Sequence, residues 1–155
     1  MADLIRRKQP GEAWETAIDT GGGGGSQPIW AAYEGDSIII GNNDLSPLPF
    51  SDLVGGVELL DRTPPFNLIL ADGVYSLTVW AQGDALTAGG YASCQVQVGI
   101  FETGIEAFHP ENGVFGATTV GFCAAGNTVA AYILNKDGVA ARNFNLVSAS
   151  LVKLS

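Results

Sequence analysis

Apolar and polar residues alternate one by one along much of the chain after Pro28. In the stretch ASCQVQVGI (92–100), every second residue from Ala92 to Ile100 is apolar, and the residues between them are polar or glycine. Residues 74–81 alternate in the same way, but their second face carries Trp80, which we expect to meet a neighbouring surface rather than water. Side chains two residues apart share one face of an extended chain, so this period predicts half-buried antiparallel strands.

Shorter apolar runs predict further strands at regular spacing. They are residues 29–33, 37–40, 57–60, 66–70, 117–122, 128–134 and 143–154. Turn-forming pairs such as Asp72-Gly73 and Asp137-Gly138 separate them. After Pro28 no segment has the 3.6-residue period of a helix. Short strands at this spacing predict an all-β domain, either an antiparallel β-sandwich or a barrel.

The last of these runs changes phase in its middle. Phe144 and Leu146 are in phase with each other, but they are out of phase with Ala149 and Leu151. An extra residue in one strand of a pair produces such a shift. The pattern therefore predicts a β-bulge near Val147 or a strand that is buried on both faces.

The beginning of the chain differs in composition from the rest. Residues 21–28 contain five consecutive glycines followed by Ser, Gln and Pro, and glycine loses more backbone freedom on folding than any other residue. A strand or helix through this run is therefore not expected. We interpret residues 1–20 as a docking peptide, residues 21–28 as a flexible linker and residues 29–155 as the folded domain.

The proposed docking peptide carries two kinds of contact residue. Arg6, Arg7 and Lys8 form a basic run, and Trp14 and Ile18 are four residues apart, the spacing of one helical turn. A helix this short has little stability by itself, and we therefore expect it to become ordered on a partner surface. The basic run indicates either a contact with an acidic partner or an ordinary solvated charge cluster.

Charge excludes several classes of partner. Residues 21–155 carry four basic and twelve acidic side chains, a formal charge of −8. Such a domain repels phosphate backbones, so we expect no nucleic-acid binding. No apolar run approaches the roughly 20 residues of a membrane span, and none resembles a secretion signal. We therefore expect no membrane partner and a protein that is made and used without secretion.

The sequence contains no recognisable catalytic constellation. His109 is the only histidine and lies in a turn-like segment. Cys94 and Cys123 occupy apolar strand positions, where thiols behave as small hydrophobic groups, so we favour two free thiols over a disulfide. These three residues form no zinc-binding pattern, and no phosphate-binding loop or nucleophile elbow occurs. We expect no enzyme, no cofactor and no metal site.

Three stretches resemble parts of the C1q/tumour-necrosis-factor (TNF) type of jelly roll. FNLILADGVYSLTVWAQGD (66–84) is similar to that fold's strand led by Gly-x-Tyr. CAAGNTVAAYILNKDG (123–138) resembles its Gly-Asp-x-Val strand, with Asn127 in place of the usual acidic residue. NFNLVSASLVKLS (143–155) resembles its final buried strand. All three occur in the right order, although the collagen-like stalk is absent.

The resemblance implies a sandwich of ten strands that assembles as a compact homotrimer about a three-fold axis. Trp80, Tyr132 and Phe144 would then face either that axis or the core. Small modules of this shape behind a short anchoring peptide also resemble bacteriophage virion proteins, among them capsid decoration, head fibre and minor tail proteins. This implies a virion location after assembly in the host cytoplasm, with the arm docked to the major capsid protein or another virion protein.

Two alternatives have candidate residues of their own. The chain would be a minor tail or tail-tip protein if its jelly roll binds a carbohydrate or host receptor, with Trp30 and Tyr91 as the glycan contacts. It would be an enzyme if Glu102 and Glu106 act as acid and base, since a glycosidase needs only two carboxylates.

Overall fold

The folded domain consists of two antiparallel β-sheets packed face to face. The computed structural model describes residues 28–64, 67–107 and 113–155, with the backbone alone for residues 103–107. Over these ranges the chain forms twelve strands and no helix. The strands are β1 (Ile29–Glu34), β2 (Ile38–Ile40), β3 (Leu45–Pro47), β4 (Asp52–Gly56), β5 (Leu60–Asp61), β6 (Asn67–Ile69), β7 (Gly73–Gly83), β8 (Tyr91–Val98), β9 (Phe101–Ala107), β10 (Gly113–Cys123), β11 (Thr128–Lys136) and β12 (Arg142–Lys153).

Strand order differs from chain order in both sheets. The first sheet runs β10-β7-β12-β1-β4, with β2 also paired to β12. The second runs β5-β6-β11-β8-β9, with β3 also paired to β11. Two facing antiparallel sheets with these crossovers form a jelly roll, and the predicted all-β sandwich is confirmed. The described residues form twelve strands, whereas the resemblance implied ten.

The core lies between the sheets and is built by the predicted alternation. Tyr75, Leu77 and Val79 of β7 point inward towards Cys94 and Val96 of β8, and all five are buried. Burying apolar surface from both sheets is the main force that holds the two layers together. Because alternate side chains enter this core, the remaining ones form two outer faces.

The phase change in the last strand is a β-bulge. Leu146 pairs with Ala81 and Ser148 pairs with Trp80, so Val147 is the extra residue of β12. Val147 is exposed, whereas Leu146 is buried. The bulge predicted near Val147 is therefore confirmed.

The strand predictions are wrong in three respects. Ile100, expected on the buried face, is 86% exposed, because Val98 pairs with Phe101 and leaves Gly99 and Ile100 as a two-residue hairpin turn. Gly99 has the positive φ of 61° that such a turn requires. The short strand expected at residues 57–60 is reduced to β5. Strands β3, β4 and β9 were not predicted.

Candidate interaction surface

The outer face of the first sheet is unusually apolar. Its outward positions form rows across β1, β12, β7 and β10, one of which is Trp30, Val152, Ser76 and Val120. We call this surface the apolar face and define it by its largest exposed or partly exposed apolar residues. They are Trp30, Trp80, Val120, Phe122 and Val152.

Both tryptophan rings lie against glycines of a neighbouring strand. A Cβ atom added to Gly116 of β10 would come within 2.9 Å of the Trp80 ring, and one added to Gly55 of β4 within 3.1 Å of the Trp30 ring. Each indole is nevertheless 49% exposed. The glycines therefore support one side of each ring and leave the other side available to a partner.

The middle of the apolar face is polar but uncharged. Ala32, Ser150, Thr78 and Thr118 form one row across the four strands. The Thr78 and Thr118 hydroxyl oxygens lie 3.0 Å apart and share a hydrogen bond, so each meets part of the hydrogen-bonding need of the other. Neither this row nor the row of Trp30 carries a charged side chain, although the domain is strongly acidic. On the side of Trp80, the exposed Glu34 of β1 pairs with Asp52 of β4 and brings charge to the edge of the face.

The three residues that the resemblance placed at a trimer axis or in the core are separated by the fold. Trp80 lies on the apolar face, between buried neighbours. Tyr132 lies on the outer face of the second sheet, where it pairs with Gln95. Phe144 is 1% exposed, and its ring meets Phe115 edge-on at 6.4 Å, so it belongs to the core of the single chain. Only the first remains available for an interface on the apolar face.

The two aromatic residues proposed as glycan contacts are also on different sheets. Trp30 is in β1 of the first sheet, and Tyr91 begins β8 of the second. The fold does not bring them together into one site. The arm residues lie outside the described part of the chain; they are Arg6, Arg7, Lys8, Trp14 and Ile18.

The second sheet carries a shallow groove of about 270 Å³ on its outer face. Leu45, Gln95, Gln97, Glu102 and Tyr132 line it, together with the backbone of β8. We call this the polar groove. Its residues come from four neighbouring strands, β3, β11, β8 and β9.

Asp137 is a buried carboxylate that accepts four hydrogen bonds. It is 2% exposed, and its carboxylate accepts bonds from Thr87 N and Oγ1, Ala140 N and Arg142 Nε. Arg142, which lies 3.0 Å away, holds the pKa of this carboxyl well below its usual range, and the backbone and Thr87 bonds act in the same direction. Because its oxygens are occupied by these donors, the carboxylate holds Thr87, Ala140 and Arg142 together and is not placed to act as an acid or base.

Tyr33 is held in a second structural network. Its hydroxyl donates to Glu58 Oε1 at 2.8 Å and accepts from Leu59 N at 3.2 Å, and Arg62 pairs with Glu58 at 2.9 Å. Burial raises the pKa of this hydroxyl well above its usual range. The network closes one end of the sandwich and presents no free acid or base to solvent.

The cysteines are two buried free thiols, as expected. Burial raises the pKa of the Cys94 thiol to about 12, which leaves it protonated and unreactive near neutral pH. Glu102 is exposed in β9, while His109 and the Glu106 side chain lie outside the described part. Within the described residues there is no cluster of three or more metal-ligating side chains and no helix able to span a membrane.

Val120 and Phe122 are surface residues that were not predicted from the sequence. In the run 117–122 the small residues Ala117 and Gly121 point inward, whereas Val120 and Phe122 point outward. The alternation of small and large residues was visible in the sequence and indicates a strand whose outer face is the more apolar one.

Comparison with known proteins shows the fold. No family model matches the sequence, and no curated protein matches it. The PRD1 vertex protein P5 is similar in structure, with a TM-score of 0.60 and 17% identity over 86% of this chain and 100% of that chain. Murine APRIL at pH 5.0 has a TM-score of 0.54 and 10% identity over 78% of this chain and 100% of that one. The chain thus has a C1q/TNF-like jelly-roll fold that it shares with a phage vertex protein.

Proposed function

We propose that this chain is a non-enzymatic structural protein of a bacteriophage virion, a homotrimer that decorates the capsid. The observation that carries the proposal is an exposed apolar face with two tryptophans, on a fold shared with a phage vertex protein. The proposed site of action is the virion, after assembly in the host cytoplasm. Similarity to a vertex protein and to APRIL favours a binding or structural role over catalysis.

The proposed partner of the apolar face is a second copy of the same chain. The domain is acidic, so two copies repel each other over most of their surfaces. The apolar face lessens this repulsion because its rows through Trp30 and Thr78 carry no charged side chain. Trp30 and Trp80 supply the large rigid contact area that is typical of interface centres. A three-fold arrangement is what the resemblance to the C1q/TNF type implies.

The proposed anchor is the segment before β1. Residues 1–20 would dock on the major capsid protein or another virion protein through Arg6, Arg7, Lys8, Trp14 and Ile18. Residues 21–28 would let each arm of a trimer reach a different local site on the particle. Since three arms are linked in one assembly, each of them can bind weakly and still give firm attachment.

Two measurements test this proposal. Light scattering during size exclusion gives the mass of the full chain and of residues 28–155, and we expect three copies in both. Cosedimentation with phage particles is expected to require residues 1–20, whose deletion leaves the trimer intact. The particles would be those of a phage that encodes this chain, stripped of it beforehand.

Each result has a clear opposite. A monomer in both forms would contradict the trimer and favour a monomeric binding module. A trimer in the full chain alone would make the first 27 residues an oligomerisation device rather than an anchor. Full decoration of particles by the chain that lacks residues 1–20 would show that the folded domain itself docks.

A further inference from the structure

The polar groove combines one aromatic ring with several planar polar groups. Tyr132 pairs with Gln95 on one side and with Pro47 on the other, and Gln97 pairs with Glu102. Directly opposed residues of neighbouring strands lie about 5 Å apart, so these groups converge on one small area. The groove is thus formed by the register of the second sheet and not by loops.

The chemistry of the groove favours a ligand rich in hydroxyl groups. Each glutamine amide offers both donors and an acceptor, and the Glu102 carboxylate offers acceptors alone. Paired hydroxyls on a sugar ring can donate to one such planar group and accept from another. The face of the Tyr132 ring carries partial negative charge and attracts the slightly positive C–H groups of a sugar ring.

One of the polar groups is already held in position. Gln97 Nε2 donates a hydrogen bond of 2.8 Å to the Gly99 carbonyl at the hairpin turn. This bond leaves Gln97 Oε1 and one N–H for a ligand. A side chain ordered before binding loses less conformational freedom when the ligand arrives.

Charge and size limit the class of ligand further. Glu102 stands in the groove, and the surrounding domain is strongly acidic, so an anionic ligand is repelled. The volume of about 270 Å³ is slightly below the range of roughly 300–1,000 Å³ of typical small-molecule pockets. One or two rings of a glycan suit this space better than a peptide or a long acyl chain.

We propose that the polar groove binds a neutral saccharide. The Tyr132 ring stacks on one face of the sugar, and Gln95, Gln97 and Glu102 bond to its hydroxyl groups. This inference goes beyond the virion role and does not depend on it, because it rests on the groove alone. The groove and the apolar face belong to different sheets of the sandwich, so association through one leaves the other open.

Nuclear magnetic resonance of the full chain labelled with ¹⁵N tests the site. The probes are the methyl glycosides of glucose, galactose, mannose and N-acetylglucosamine, with methyl glucuronide as the acidic counterpart. We expect at least one neutral probe to shift the side-chain amide signals of Gln95 and Gln97 in a saturable way. The glucuronide is expected to bind at least about tenfold more weakly, because its carboxylate meets Glu102.

Three variants separate the site from a general effect on the fold. Tyr132→Ala removes the ring and is expected to weaken binding at least about tenfold, whereas Tyr132→Phe keeps the ring and most of the affinity. Trp30→Ala changes the opposite sheet and is expected to leave binding unchanged. Monosaccharides bind one site at a time, so a change in oligomeric state does not imitate these results.

Four results would overturn the inference. They are the absence of saturable shifts with any neutral probe, unchanged binding by Tyr132→Ala, glucuronide binding as tight as that of the neutral probes, and loss of binding in Trp30→Ala. The mass measurement described above judges the trimer separately. Failure of the glycan site and failure of the virion proposal are therefore distinguishable.

Discussion

At the scale of single residues, hydrogen bonds hold the buried polar side chain of Asn135 in place. Asn135 is buried, and its Nδ2 donates to the Ile40 and Ala140 carbonyls while its Oδ1 accepts from Asp137 N. A buried polar group without partners costs about 1–3 kcal/mol, so these bonds decide whether this end of the sandwich is stable. Asp137 and Arg142 continue the same network towards the surface.

We predict that the stabilising effect of Asp137 is lost in acid. Its pKa is lower in the folded than in the unfolded chain, so the carboxylate stabilises the fold above the ordinary aspartate pKa of about 4. That contribution falls as the pH drops through this value towards the lower folded pKa. Melting temperatures measured against pH should therefore show Asp137→Asn well below the unaltered protein at pH 7, with the difference narrowing below about pH 4.

Asp52→Asn is the matched control, because Asp52 is exposed at the edge of the first sheet. It should change the melting temperature little at either pH. A difference between Asp137→Asn and the unaltered protein that stays constant from pH 7 to pH 2 would contradict the role of the carboxylate charge.

A second residue-scale prediction concerns Gly83. A Cβ atom added there would lie 2.5 Å from the ring of Phe144, which is fixed inside the core. Gly83→Ala should lower the free energy of unfolding by about 1–3 kcal/mol, as overpacking does. Gly55→Ala is the control, since its new Cβ meets the partly exposed Trp30 ring, and we expect about 0.5 kcal/mol or less. Equal urea midpoints for the two variants would show that the core absorbs the extra atom.

At the scale of elements, the bulge shifts the alternation of β12 by one residue. Before Val147 the inward residues are Phe144 and Leu146, and after it they are Ala149 and Leu151. Without the extra residue, the two halves would follow one continuous alternation with the same residues inward. The bulge is therefore a local kink in the strand, not the means by which its core residues are buried.

We predict that the chain tolerates deletion of Val147. The deletion joins Leu146 to Ser148 in the register that each already has with β7, so it should change the free energy of unfolding by about 1 kcal/mol or less. Deletion of Ser150 is the control, because it turns Leu151 outward and should cost about 2–5 kcal/mol. Urea denaturation followed by tryptophan fluorescence measures both. Equal losses would contradict the register argument.

At the scale of the whole molecule, the two outer faces have different chemistry. The apolar face presents Trp30 and Trp80 on glycine platforms, whereas the polar groove presents glutamines, a carboxylate and Tyr132. In the two proposals made above, one sandwich associates with its own copies through the first sheet and holds a ligand on the second. This division follows from which residues occupy the outward positions of each sheet.

We predict that charged residues on the apolar face dissociate the proposed trimer. Trp30→Glu combined with Trp80→Glu places two carboxylates per chain where copies would meet, and like charges or buried carboxylates cost several kcal/mol at an interface. The dissociation constant should rise by about 100-fold or more in sedimentation equilibrium. Val139→Glu adds charge at an exposed turn away from this face and should leave association unchanged. An unchanged mass for the double variant would place the interface elsewhere.

How much of this fold the sequence predicts depends on the kind of strand. Long strands with one buried face, such as β7, β8 and β12, show a period of two in the sequence. Even the bulge of β12 is visible there, as a change of phase. Edge strands lack this signal. In β4 neither face is fully buried, so Gly55 and Gly56 can occupy strand positions without a side chain to pack. Strand β3 contains Pro47, which an edge strand tolerates because one side of its backbone needs no hydrogen-bonding partner.

The sequence by itself determined the all-β class, the core-facing alternation and the two buried thiols, because each of these depends on neighbours along the chain. For the phase change in β12 it left two interpretations, and the register with β7 decided for the bulge. Only the tertiary structure decided which outward faces meet. It placed Phe144 inside, Trp80 on one sheet and Tyr132 on the other, and it brought Gln95 and Gln97 beside Glu102 and Tyr132. Strand order and register are long-range properties, set when the two sheets bury their common core, and no local pattern in a sequence contains them.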